Sequence, residues 1–333
     1  MIQVIHISDL HLWVPGNLGG MFAWLSGNLP FVHHVYTFAD EAIKFALPME
    51  LNQIAAAYPT ILALTGDIAA WPNDHSSDIE GEYYTYIEQV RSLLPHDPKL
   101  ALVLGNHDWG NGQPFNRHDT HFLNTSFQRL YNIATPRCFT IRSSNVKAVF
   151  FLIDSNEAVL PATGRIDPDT LDFLRQGFDD GRQGRLLNLS TEDFNDALKI
   201  LLLHHPPLPY TAYTGVVNWS TYHLLELINA PDLMSVCGDY IDLFLFGHIH
   251  IPIRTSYNGF VMIGAGTTLG TEVTASSPTP NLQRIRISNS DTINVESFFW
   301  KDGAFLPDEL IATFRRGLAP FGVRGSGRWE RVP

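Results

Sequence analysis

Five stretches of the sequence share one pattern: a short apolar run ends in residues able to hold a metal ion. Val4-Ile5-His6-Ile7 leads to Ser8-Asp9-Leu10-His11, and Ile61-Leu62-Ala63-Leu64 leads to Thr65-Gly66-Asp67. Residues 100–104 lead to Gly105-Asn106-His107-Asp108, and Ile200-Leu201-Leu202-Leu203 leads to His204-His205-Pro206-Pro207. Leu243-Phe244-Leu245-Phe246 leads to Gly247-His248-Ile249-His250. In an extended segment, side chains at i and i+2 point to the same side, so His248 and His250 can reach one centre. Alone, a Gly-His-x-His is a weak signal, because surface loops often carry two histidines. Five repeats of one pattern are hard to produce by accident.

The candidate donors are Asp9, His11, Asp67, Asn106, His204, His248 and His250. Mixed carboxylate, amide and imidazole donors suit Mn, Fe, Zn, Co or Ni rather than a structural zinc held by thiolates. Seven donors exceed what one ion normally takes. Two ions about 3.5–4 Å apart, sharing one carboxylate, would use them all. Gly66, Gly105 and Gly247 allow the sharp turns that bring strand ends together over a ligand.

The elements that must position these residues follow from the same runs. Residues 2–7, 60–65 and 99–104 read as strands. The spacing Thr37-x-x-Asp40 resembles a capping box and predicts a helix to about Tyr58, broken or restarted at Pro48. Ser77-x-x-Glu80 predicts a second helix to about Leu94. The resulting β-α-β-α-β alternation marks an α/β protein with a parallel sheet and crossover helices, whose ligand sites lie at the carboxyl ends of the strands. Further along, Arg137–Arg142 and Val146–Ile153 read as a hairpin. Asp167-Pro168 and Ser190 read as helix starts, and helical residues are expected from about Ser220 to Ala230. Strands are expected at 199–203 and 241–246. Gly259–Ile263, Leu282–Ile287 and Thr292–Phe298 read as antiparallel strands closing a second sheet.

Two loops leave directly from candidate ligands. Residues 12–36 form a glycine-rich, aromatic insertion, read as a packed loop or a substrate wall. Pro206–Val217 carries Tyr210 and Tyr213. A polar loop with His118 and His121 follows Asp108. The tail from Arg315 is expected to be extended or disordered. No linker is evident, so one domain over residues 1–300 is expected, with 301–333 as a C-terminal extension.

The chain has 333 residues, of which 45% are hydrophobic and 12% aromatic, enough for a large core. A net charge of −12 argues against an extensive nucleic-acid surface. The two cysteines, Cys138 and Cys237, lie far apart and read as separate thiols in a reducing compartment. No signal-peptide pattern opens the chain, and no run approaches the ~18 apolar residues of a transmembrane segment, so a cytoplasmic location is the default expectation. The sequence leaves the oligomeric state open, a dimer included.

In order and spacing, Asp9-x-His11, Gly66-Asp67, the Gly105–Asp108 block, His204–Pro207 and Gly247–His250 resemble the calcineurin-like metallophosphoesterases. The resemblance implies a four-layer αββα sandwich of two mixed β-sheets flanked by helices, with a dinuclear centre at the strand ends. It also implies that Asp9, His11, Asp67 and His250 hold one divalent or trivalent ion. Asp67, Asn106, His204 and His248 would hold the other, with Asp67 bridging. His204 matches the family's ligand position best, and His205 is the alternative. His107 matches the catalytic histidine, Asn106 adds charge stabilisation, and Asp108 is expected behind the donors rather than among them. The activity implied is hydrolysis of a phosphate ester by a metal-bridging hydroxide. His204–Pro207 and the stretch Gly164-Arg165-Ile166 to Leu174 resemble bacterial class III cyclic-nucleotide and glycerophosphodiester phosphodiesterases. The expected substrate is therefore a phosphodiester. The alternatives are a phosphomonoesterase on the same centre and, last, a non-catalytic scaffold.

Overall fold

Strands that are apolar on both faces need cover on both sides, and this requirement stacks the chain into layers. The computed structural model describes residues 1–12, 37–55, 58–68, 77–96, 98–108, 135–156, 163–209, 226–238, 240–272, 279–317 and 328–332. In chain order the first half contains β1 (Ile2–Ile7), β2 (Thr37–Ala39), α1 (Glu41–Ile54), β3 (Thr60–Thr65), α2 (Ser77–Leu93), β4 (Lys99–Val103), β5 (Arg137–Ser143) and β6 (Val146–Leu152). Next come α3 (Pro168–Arg182), α4 (Thr191–Asp196), β7 (Leu198–Leu202), α5 (Ala230–Cys237), β8 (Leu243–Phe246), β9 (Ile253–Tyr257) and β10 (Phe260–Gly264). The chain closes with β11 (Gly270–Glu272), β12 (Asn281–Asn289), β13 (Thr292–Lys301), β14 (Ala304–Pro307), β15 (Ala312–Arg316) and β16 (Trp329–Val332).

One sheet runs β16-β15-β13-β12-β1-β3-β4, with β14 paired to β13; the other runs β5-β6-β7-β8-β10-β9. Both are mixed. β1, β3 and β4 are parallel neighbours, while β12 runs antiparallel to β1. β6, β7, β8 and β10 are parallel, with β5 and β9 antiparallel at the edges. Three apolar layers separate four structural ones. Ile5, Ile7, Leu62 and Leu64 pack against Leu47, Leu51, Ile87 and Val90 of α1 and α2. Val4, Ile61 and Ala63 meet Phe150, Ile200 and Leu245 between the sheets. Phe151, Leu201 and Phe244 lie under Leu174, Phe178, Phe194 and Leu233 of the helices on the far side. The order is helix, sheet, sheet, helix, the implied αββα sandwich.

Several local expectations change. Thr37 belongs to β2, which pairs with β11, and the N-cap of α1 is Asp40, whose carboxylate accepts from the Ala42 and Ile43 amides. Pro48 does not interrupt α1. Its missing N–H would have bonded the Lys44 carbonyl; that carbonyl instead accepts from the Tyr86 hydroxyl of α2 at 3.0 Å. Tyr86→Phe should leave this half-buried acceptor without its partner and cost about 1 kcal/mol by denaturant titration. The penalty should shrink in a Pro48→Ala background, where an amide at residue 48 serves the carbonyl.

Of the helix expected from about Ser220 to Ala230, residues 220–225 lie outside the described residues and 226–229 are not helical; α5 begins only at Ala230. Asn229, just before it, spends its side chain on both backbone groups of Ile166. The last expected strands split between sheets. β10 joins the second sheet, parallel to β8, whereas β12 and β13 extend the first, because β12 covers the edge of β1 that β3 leaves open. Beyond residue 300, β14, β15 and β16 continue that sheet, with Trp329 wholly buried. Arg316 and the Trp329 indole both donate to Asp242 Oδ1, which ties this end of the chain to the start of β8.

Candidate metal centre

β1, β3 and β4 in one sheet and β7 and β8 in the other end at the same side of the sandwich, and every candidate donor follows one of these ends within four residues. Backbone bonds knit the ends together: Asp9 N–H donates to Gly66 O at 3.0 Å, His11 N–H to Asp67 O at 2.9 Å, and Gly247 N–H to His204 O at 3.0 Å. Gly66 has φ +91°, and a Cβ there would fall on the His204 ring and the Gly105 backbone. Asp9, His11, Asp67, His248 and His250 have φ of 50°, 46°, 50°, 71° and 55°. The left-handed region costs non-glycine residues on the order of 1–3 kcal/mol each and collects at functional sites.

The donor atoms converge in two groups that meet at Asp67. On one side, His250 Nε2 lies 3.4 Å from Asp9 Oδ1 and 3.2 Å from His11 Nε2, and His11 Nε2 lies 4.0 Å from Asp67 Oδ2. On the other, His204 Nε2 lies 3.4 Å from Asp67 Oδ1, 3.0 Å from Asn106 Oδ1 and 3.1 Å from His248 Nδ1. Donors bound at about 2.1 Å to one ion stand roughly 3.0–3.4 Å apart along octahedral or tetrahedral edges. All the separations above except the 4.0 Å between His11 and Asp67 match such an edge, so the side chains suit metal binding. Asp9, His11, Asp67, His204 and His248 are buried. His204 Nδ1 faces the Thr65 carbonyl at 2.7 Å, which can only accept, so Nδ1 carries hydrogen and Nε2 is turned to the centre.

The family model for calcineurin-like phosphoesterases matches residues 2–252, a span that includes all five strand ends.

The chain belongs to the calcineurin-like phosphoesterase family.

Solved structures align with this chain at low identity, and the first shares its fold. A purple acid phosphatase from yellow lupin (Lupinus luteus) aligns at 11% identity with a TM-score of 0.52, over 92% of this chain and 52% of its own. The chain thus spans about half the length of that protein. Vacuolar protein sorting 29 from Cryptosporidium parvum aligns at 13% identity and a TM-score of 0.39, over 94% of this chain and 98% of its own. The anchor in the inner membrane complex of Plasmodium aligns at 12% identity and a TM-score of 0.45, over 93% of this chain and 87% of its own. No curated protein matches the sequence. Among the described residues, no helix is long and apolar enough to cross a membrane.

Electrostatics in the cluster favour donor forms at Asp67, His11 and His248 but not at His204. Burial opposes ionisation of Asp67, but neighbouring imidazoles, His204 first, override it and hold the carboxyl well below its usual range. Burial, followed by neighbouring imidazoles, holds His11 and His248 well below the usual imidazole value, hence neutral. Burial works the same way on His204, yet the Asp67 carboxylate outweighs it and raises the pKa to about 9. A cation held there would take the place of that proton.

His107 stands at the open side. Its amide donates to Asp67 Oδ1 at 3.0 Å, its Nε2 lies 4.0 Å from Asp67 Oδ2, and its ring meets His11 edge-on with centroids 5.0 Å apart. Asp108 is buried and accepts from the Gly105 amide at 2.8 Å, behind the donors. His205 is buried beside His248, with Nδ1 3.0 Å from Ser155 Oγ, while His204 faces Asp67 and Asn106. His118, His121, Tyr210, Tyr213 and the insertion lie outside the described residues, apart from Leu12. Sequence reasoning missed the hydroxyls behind the donors: Ser8, Ser155, Thr267 and Thr268. The short polar steps at the ends of β6 and β10, Asp154-Ser155-Asn156 and Gly266-Thr267-Thr268, were the available signal.

Proposed function

We propose that this chain is a dinuclear metal-dependent hydrolase of phosphodiesters, of the cyclic-nucleotide or glycerophosphodiester kind. The observation that carries the two-ion reading is the position of Asp67. Its Oδ2 faces His11 and its Oδ1 faces His204, so one carboxylate serves both donor groups. Asp9, His11, Asp67 and His250 would hold one ion, and Asp67, Asn106, His204 and His248 the other, drawn from Mn, Fe, Zn, Co and Ni. Such a pair supplies positive charge to phosphoryl oxygens and brings the pKa of a water toward neutrality.

The residues of the chain do the rest. The Asn106 amide, 3.0 Å from His204 Nε2, holds the floor where an equatorial oxygen would rest. His107, whose side chain keeps 13% of its surface open beside Asp67, presents its ring to the leaving oxygen and gives it a proton. Diester rather than monoester chemistry is supported by the contact between the two stretches that resemble phosphodiesterases. A Cβ on Gly164 would fall on the His205 ring, and the Arg165 amide bonds Ser155 O at 3.0 Å. Cys138 and Cys237 are free thiols, which suits a reducing compartment such as the cytoplasm.

The test compares bis-p-nitrophenyl phosphate with p-nitrophenyl phosphate on Mn²⁺-loaded protein, with a chelator control. The proposal expects chelator-sensitive cleavage that favours the diester. Preference for the monoester would assign a phosphatase instead, and no turnover with two ions bound would point to a scaffold.

A further inference from the structure

The donors are held from behind by hydroxyls that lie outside all five strand-end motifs. Ser155, just past β6, is wholly buried and accepts from the amides of His204 at 3.2 Å and His205 at 3.1 Å. A hydroxyl has two lone pairs and one hydrogen. With both lone pairs engaged, the hydrogen goes to His205 Nδ1 at 3.0 Å, which leaves the His205 proton on Nε2. One side chain thus sets the backbone direction at His204 and the tautomer of its neighbour.

The opposite half has its own support. Thr267, in the turn after β10, is wholly buried and donates to the Asp9 carbonyl at 3.0 Å. Thr268 accepts from the Ser8 amide at 3.1 Å and returns its own amide to Ser8 O at 3.0 Å. These bonds clamp the residue that carries φ 50° and whose two carboxylate oxygens each lie 3.1 Å from the His248 amide.

We propose that Ser155 and Thr267 are positioning residues for separate halves of the centre, Ser155 for the His204 donor group and Thr267 for the Asp9 donor group. The proposal rests on the two-ion reading above. Removing a group that orients a metal ligand typically costs about 10–100-fold in metal affinity, so each substitution should act on one ion and spare the other.

The test is calorimetric titration of Co²⁺ into the metal-free full chain, with the visible spectrum of the ion recorded at each step. His204→Ala and His250→Ala serve as references for loss of each half. Ser155→Ala should weaken one ion about 10–100-fold and leave the spectrum that His204→Ala leaves. Thr267→Val should weaken the other and leave the spectrum of His250→Ala. Thr267→Ser, which keeps the hydroxyl, should restore wild-type affinity, and Ser155→Cys, with a weaker donor in similar volume, should fall between serine and alanine. Two ions on the wild type, with both variants weakening the ions equally or neither, would overturn this assignment alone. Fewer than two ions on the wild type would overturn the two-ion reading and this assignment with it.

Discussion

Asp67→Ala should strip both ions and abolish turnover together. The two donor groups have one residue in common, and its oxygens lie 4.0 Å from His11 Nε2 and 3.4 Å from His204 Nε2. The same carboxylate accepts the His107 amide, so its removal also frees the loop that carries Asn106 and His107. Several kcal/mol of charge stabilisation disappear with the ions, and at about 1.4 kcal/mol per decade the loss in kcat is on the order of 10³-fold or more. Metal content by mass spectrometry and turnover on bis-p-nitrophenyl phosphate measure the two losses separately. Loss of a single ion, or retained turnover, would remove Asp67 from the bridging position.

His107→Ala should give the contrasting result: turnover falls about 10²–10⁴-fold while both ions stay bound. The residue is linked to Asp67 through its backbone amide, a bond that survives replacement of the side chain. A substrate whose leaving group needs no proton, such as p-nitrophenolate, should lose less than an alkyl diester. An equal loss on both leaving groups would assign the ring to binding the phosphoryl group instead of protonating the leaving oxygen. Loss of metal in this variant would make His107 part of the donor set.

The candidate donors were legible because metal chemistry admits few residue types and because strand ends announce themselves as apolar runs. All seven lie at neighbouring strand ends, at the separations described above. The parallel cores of the two sheets were legible for the same reason, as Ile61–Leu64 and Leu243–Phe246 show. What escaped was information held between distant segments. Whether β12 closes the second sheet or extends the first depends on which edge of β1 is open, which no local pattern of residues 281–289 records. Pro48 reads as a helix breaker until Tyr86, from another helix, satisfies the carbonyl it strands. Asp40 outcompeted Thr37 as the cap because Thr37 is engaged in a strand with residues 270–272. Ser155 and Thr267 carry common side chains, and only the folded turns bring them under His204 and Asp9.

The central claim is that two ions, held around Asp67, make this chain a hydrolase of phosphate esters. It is tested most directly by adding Mn²⁺ stepwise to metal-free protein while counting bound ions and following cleavage of bis-p-nitrophenyl phosphate in the same samples. The expected result is two ions per chain, with turnover rising as the second one binds and vanishing on chelation. Turnover that persists without metal, or that stays absent with both ions in place, would contradict it.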